Sequence, residues 1–383
     1  MELNCLEVTI NKEKYIIKKM RSEFRKFKIK ILKEPVSNSI YIKLAILLLF
    51  TITVVSFSYD SGVTHIIYKD VNRKREFSTI IFYPAITKDD DEEIVIGENP
   101  VFIGNKFKKS PMIAPKKFPL IIFIHGSGGN NTSMSYLAAE LASRGIIVVA
   151  ANHLSETKGG YPAETISVKP WVQNEDVSFL LDEILKDSNF NKNILPDSIG
   201  VIGYSKGAYT ALALAGGELK LDKYVDYCSS NSKVPDCIFY NEDFLKEKIN
   251  FEKSYLDNRF SFIISIDPIF SLAFDNESLK RIQIPILLIS SEYYYSKEPD
   301  INLYGESLYK QLNKTKTTYK LIENSGHFDF LPLCKKEALE ILKMDGEGEE
   351  IICISSKKSR VEIHKETVDS VLKFLKDINI IKN

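Results

Sequence analysis

Surplus charge, metal-type cysteine spacing and a membrane-length apolar run are all missing from this chain of 383 residues. Lys and Arg number 51, as do Asp and Glu, so no net basic field exists to draw the protein onto nucleic acid. No Cys-x-x-Cys occurs, which argues against zinc and dithiol redox chemistry. No cluster of metal ligands stands out either, so no metal and no cofactor are expected. Internal repeats and Pro-, Gly- or Ser-rich linkers are absent, and a composition 44% apolar and 27% charged is globular. Histidine is scarce. With five in the whole chain, any catalytic base has few places to be.

The zero charge hides an asymmetry. Residues 1–43 carry eleven Lys/Arg against five Asp/Glu, a balance of +6. The uncharged run LAILLLFTITVVSF follows at 44–57. It is short for a span of about 20 residues and suits the apolar core of an export signal. Ser56 and Ser58 offer a cleavage site. The basic stretch is long for such a signal, so either translation starts near Met20 or the segment stays as an anchor with its basic side in the cytoplasm. Residues 1–58 therefore predict a periplasmic, secreted or membrane-anchored protein, with any membrane association made through 44–57.

Beyond that leader four cysteines remain, Cys228, Cys237, Cys334 and Cys353. An even set behind an export signal reads as disulfides, and sequence order favours 228–237 and 334–353.

From residue 118 short apolar runs alternate with helical stretches, preceded by two antiparallel strands in THIIYKDVNRKREFSTIIFYPA and an irregular segment over about 87–117. Continuous apolar strands alternating with helices predict one α/β domain over 59–383, its mostly parallel sheet covered on both faces. Residues 218–258 interrupt the alternation as an insertion placed where a lid would sit.

In such sheets ligands bind beyond the carboxyl ends of strands. The strand IGVIG leads into Gly203-Tyr204-Ser205-Lys206-Gly207, a Gly-x-Ser-x-Gly pattern followed at once by a helix of small residues. The serine must protrude from a sharp turn, which leaves no room for side chains at the two glycines. A hydroxyl needs a base. His65 lies in the entry strands, His125 and His153 precede the serine, and His364 opens the last helix. His327, in LIENSGHFDF, follows the last core strand and fits the role. The acid has two candidates at strand ends, Asp267 in FSFIISIDP and Glu292 in PILLISSE, and spacing does not choose between them. The glycine-rich FIHGSGGN brings the Ser127 backbone N–H near the serine turn, where it pairs with that of Lys206 as an oxyanion hole. Without a following Lys-Ser/Thr, this loop is not a phosphate-binding P-loop. Aromatic residues Trp171, Tyr293, Tyr294, Tyr295, Phe328 and Phe330 cluster near these motifs; Tyr293, Phe328 and Trp171 are candidates for a substrate pocket.

PLIIFIHGSGG, ELASRGIIVVAANH, GYSKGA, SIDP, IPILLISSEYYY and SGHFDF, in this order, resemble the platelet-activating factor acetylhydrolase and dienelactone-hydrolase-like branch of the α/β-hydrolases. The likeness spans about residues 61–376 and is nearest to exported bacterial members. It implies that Asp267 is the acid and that the SSEY segment holding Glu292 is not. It also implies Ser127 and Lys206 as oxyanion donors, a 334–353 disulfide, and a structural role for His364 beside Arg360. The charged Lys206 and the basic leader depart from the group pattern. The resemblance implies a serine esterase acting on small-molecule or lipid esters. Its rivals are a lactone, polyester or peptide hydrolase on the same residues, an exported binding protein of this fold without catalysis, and a membrane-anchored scaffold.

Overall fold

The computed structural model describes residues 58–153, 169–230, 237, 245–293, 305–346, 348–354 and 356–382. The apolar run 44–57, Tyr294 and Tyr295 lie outside the described residues.

The entry strands form as the sequence predicts. β1 (Asp60–Asp70) and β2 (Arg75–Ile86) pair antiparallel along their full length, from Asp60↔Ala85 to Asp70↔Arg75. The segment read as irregular carries three further strands, β3 (Glu93–Ile96), β4 (Asn105–Lys109) and β5 (Met112–Ile113). β3 forms the sheet edge and β4 lies between it and β1; both are short and bear lysine or glutamate, and apart from the buried Phe107 their side chains are partly or fully exposed. They lack the apolar run that marks a central strand.

The core alternation follows: β6 (Phe118–Ile124), α1 (Ser135–Ser143), β7 (Ile147–Ala151), α2 (Val172–Lys186), β8 (Ile194–Tyr204) and α3 (Lys206–Leu214). After them come α4 (Leu221–Ser230), α5 (Lys248–Glu252), β9 (Phe262–Ile266), α6 (Asn276–Arg281) and β10 (Ile286–Tyr293). The chain closes with α7 (Gly305–Gln311), β11 (Thr317–Gly326), α8 (Ala338–Asp345) and α9 (Arg360–Asp377). The sheet runs β11-β10-β9-β8-β6-β7-β2-β1-β4-β3, parallel from β11 to β7, with β5 paired to β2.

Every residue of β6 is buried, because both faces are covered. Leu120, Ile122 and Ile124 pack on one face with Val177, Leu181 and Ile184 of α2. Ile121 and Phe123 pack on the other with Leu137 and Leu141 of α1 and Val371 and Leu375 of α9. The strand alternation of side chains thus divides one run of apolar residues between two cores. After β6 and β7 the chain crosses back to place β8 on the far side of β6. That reversal opens a crevice at the carboxyl ends of β6 and β8, the general ligand position of such sheets.

Cys228–Cys237 and Cys334–Cys353 are both disulfides. Two such bonds indicate an oxidising, exported environment. Within 218–258, Tyr224, Cys228 and Phe251 pack into the core, and no described residue of that segment borders the cleft described below. Among the described residues, no helix is long and apolar enough to cross a membrane.

Candidate active site

Ser205 sits between the end of β8 and the first residue of α3, in a backbone conformation (φ 56°, ψ −116°) that L-residues seldom adopt. The flanking glycines permit it. A Cβ at Gly203 would fall 1.9 Å from the Gly207 carbonyl oxygen, and one at Gly207 would fall 2.2 Å from that of Ile124. The Ser205 N–H donates to Ile266 O at 2.9 Å, so the turn is tied to β9.

His327 Nε2 lies 3.0 Å from Ser205 Oγ, and its Nδ1 lies 2.5 Å from Asp267 Oδ2. His327 opens a 3-10 turn directly after β11, and it is buried. The Tyr204 hydroxyl donates to its carbonyl at 2.7 Å, and the two rings stack at 5.1 Å. Asp267, at φ 50° beyond β9, accepts from the Ser291 N–H and the Ser291 hydroxyl, each at 2.8 Å, while its own N–H donates to Ile289 O at 2.8 Å. Glu292, the other candidate acid, accepts instead from the Asn324 N–H. One residue apart on β10, Ser291 and Glu292 point their side chains differently, so Ser291 supports Asp267 and Glu292 turns to β11. Tyr204 and Ser291 went unassigned in the sequence, although Ser291 stands in the quoted SSEY.

The glycine turn after β6 meets the serine turn. A Cβ at Gly126 would lie 2.9 Å from Ser205 Cβ, and Ser127 lines the same cleft as Ser205. Lys206, by contrast, is wholly buried, and burial lowers its pKa to about 8. Beneath the turn lie two more buried histidines. His125 Nδ1–H donates to Gly126 O at 2.8 Å, while its Nε2 accepts the His153 N–H at 3.2 Å, a pattern that fits only the neutral ring. Burial holds His125 well below its ordinary pKa and lowers that of His153, whose Nδ1 faces Asp176 at 3.3 Å. His65 contacts Ser78 on the entry strands, and His364 donates to Leu331 O.

The cleft above Ser205 holds about 790 Å³. Phe328 borders it. Trp171 and Tyr293, the other expected pocket residues, are buried and are not among the residues lining it. Trp171 instead joins the core beside α2, where its apolar bulk is better shielded than in an open cleft. Among the described residues, no group of three or more His, Cys, Asp or Glu could hold a metal ion.

Residues 98–159 match the family model described as platelet-activating factor acetylhydrolase, isoform II. That stretch runs from the cleft rim through the glycine turn. No curated protein matches the chain at a significant level. Among solved structures, a ferulic acid esterase from Streptomyces cinnamoneus aligns with a TM-score of 0.54 at 17% identity, over 84% of this chain and 90% of its own. A dienelactone hydrolase from Anabaena variabilis aligns with a TM-score of 0.44 at 12% identity, over 81% and 98%. An acylaminoacyl peptidase from Pyrococcus horikoshii aligns with a TM-score of 0.44 at 13% identity, over 83% and 42%.

Proposed function

Since the fold is that of an α/β-hydrolase, we propose that this protein is a serine hydrolase of carboxylic esters, with Ser205 as nucleophile, His327 as base and Asp267 as acid. One observation carries the reading: Ser205 Oγ, both nitrogens of His327 and the Asp267 carboxylate form one hydrogen-bonded line at the floor of a cleft.

Ser205 Oγ attacks the ester carbonyl carbon while its proton passes to His327 Nε2. Asp267 holds the Nδ1–H and stabilises the imidazolium. The carbonyl oxygen, now an oxyanion, accepts from the backbone N–H groups of Ser127 and Lys206 at the amino end of α3. Collapse expels the alcohol, which takes the proton from His327. Water, deprotonated by His327, then attacks the acyl-enzyme; collapse returns the proton to Ser205 and releases the acid. The acetylhydrolase match across the glycine turn supports a short acyl group. Export places the enzyme in the periplasm or outside the cell, either released or held by residues 44–57.

A fluorophosphonate probe tests this. Labelling mapped to Ser205 by mass spectrometry, and lost in His327→Ala, is the expected result. Ser205→Ala and His327→Ala abolish ester turnover without unfolding, and Asp267→Asn lowers kcat by on the order of 10⁴-fold. Glu292→Gln leaves it within a fewfold. A folded protein that takes no label would instead be a binding protein of this fold. Near-full activity in Asp267→Asn would transfer the acid role to Glu292.

A further inference from the structure

The proposed chemistry uses the floor of the cleft and leaves its rim without a task. Three short segments build that rim: Asn99 and Phe102 ahead of β4, Leu331 and Pro332 after the His327 turn, and Ile351 and Ile352 of the 3-10 turn Glu349–Cys353. All three converge on Cys334. Phe102 forms an antiparallel bridge with it, the Ile103 N–H donates to Leu333 O at 2.8 Å, and the Lys335 N–H donates to Val101 O at 2.8 Å. The disulfide to Cys353 fastens the 3-10 turn to the same point. The buried Arg360 guanidinium then spans both sides, donating to Pro332 O at 2.9 Å, Ile352 O at 2.7 Å and Cys334 Sγ at 3.1 Å. Phe102 and Ile352 pack against the buried Ala338 and Leu342 of α8. A surface loop held this firmly at a cleft mouth is built to keep its shape.

Apart from Asn99, the rim is apolar. Phe102, Leu331, Pro332, Ile351 and Ile352 are apolar, and Phe328 and Ile269 continue the surface toward Ser205. Among the described residues lining the cleft there is no Lys or Arg, and Glu349 is its single carboxylate. A remote anionic group finds no cation to pair with here, whereas an alkyl chain leaves water on reaching this wall.

We propose that this rim is a specificity site for an uncharged alkyl arm of the ester, extending from the carbonyl at Ser205 along Phe102, Leu331, Ile351 and Ile352, and that the Cys334–Cys353 bond holds the wall in place. The inference rests on the ester-hydrolase reading and adds to it the residues that select the substrate.

The test compares kcat/KM across p-nitrophenyl esters from acetyl to decanoyl, and across acetates of straight-chain alcohols, below their micelle concentrations. The full chain is measured as wild type, as Ile351→Ser/Ile352→Ser and as Cys334→Ala/Cys353→Ala. Burying a methylene fully gives about fourfold, so a partly open wall should give at least about tenfold over six methylenes. The wild type is therefore expected to show that rise in one series, which identifies whether the acyl or the alcohol side carries the arm. Both variants should lose about fivefold or more of the long-to-short ratio. A flat wild-type response in both series, or an unchanged ratio in the serine variant, overturns the proposal. If the cysteine variant fails to fold, the serine variant, which keeps the disulfide, decides. Should Ser205 turn over no ester, decyl and ethyl acetate are titrated into the three forms carrying Ser205→Ala. Tighter binding of decyl acetate that the rim changes remove supports the rim independently of catalysis, and equal binding of both esters overturns it.

Discussion

Lys206 is the residue whose chemistry departs most from its position in the sequence. Beside Ser205 it reads as a charge at the mouth of the site, yet its side chain is fully buried and its Nζ has no hydrogen-bond partner among the described residues. Burial draws its pKa from 10.5 to about 8, with Arg75 adding to the fall and Asp176 opposing it. The unfolded chain keeps this proton up to about pH 10.5, so between pH 8 and 10.5 the unfolded state binds more protons, and stability rises with pH across that window. Below pH 8 the folded protein carries the whole cost of a buried ammonium. Lys206→Met keeps the apolar stem and the backbone N–H. It should stabilise the protein by about 3 kcal/mol at pH 7, an advantage that vanishes near pH 10.5. Urea unfolding at pH 7 and pH 10 measures this, and equal effects at the two pH values would refute it. Residue identity alone left the acid undecided for a related reason. Asp267 and Glu292 both end strands, and only the direction of each side chain separates the carboxylate on His327 from the one on Asn324.

Among the elements, long apolar runs were legible and short polar ones were not. β6, β7, β8, β9 and β10 stand in the sequence because strands covered on both faces carry near-continuous apolar runs. β3 and β4 were missed because strands at and next to the sheet edge carry lysine and glutamate, which makes them read as loop. α8 gives no clear signal either, being eight residues long and framed by charge. The junction of β8 with α3 was readable in detail because its geometry admits so few residues. Gly207→Ala tests that tightness. The added Cβ would press on the Ile124 backbone, where no side chain can yield. Forcing a methyl into such a contact costs about 1–3 kcal/mol. The expected variant melts earlier and reacts with the fluorophosphonate at least about tenfold more slowly. Wild-type labelling would show that β6 and α3 part without disturbing Ser205.

At the scale of the whole molecule, sequence order sufficed for what is local and failed for what is assembled. The disulfide pairs join neighbours in sequence, so they could be read directly. The rim could not, since residues 99–102, 331–332 and 351–352 are far apart in sequence and are brought together by the fold around Cys334 and Arg360. Trp171 shows the opposite failure, an aromatic near the motifs in sequence that folding places in the core.

The ties around the site also bear on how the molecule comes apart. The Ser205 N–H donates to Ile266 O, the Asp267 N–H to Ile289 O, and the Ser291 N–H to the Asp267 carboxylate, so three neighbouring strands are laced together through the residues proposed to react. Amide protons in such a place exchange with deuterium only when the central sheet opens as a unit. The amides of Ser205, Asp267 and Ser291 should therefore be among the slowest in the chain, with exchange free energies equal to that of global unfolding. A warmed sample would hold its full activity up to the melting transition and lose it there all at once. Fast exchange at Ser205 in a protein still folded elsewhere would mean that the site frays before the sheet does.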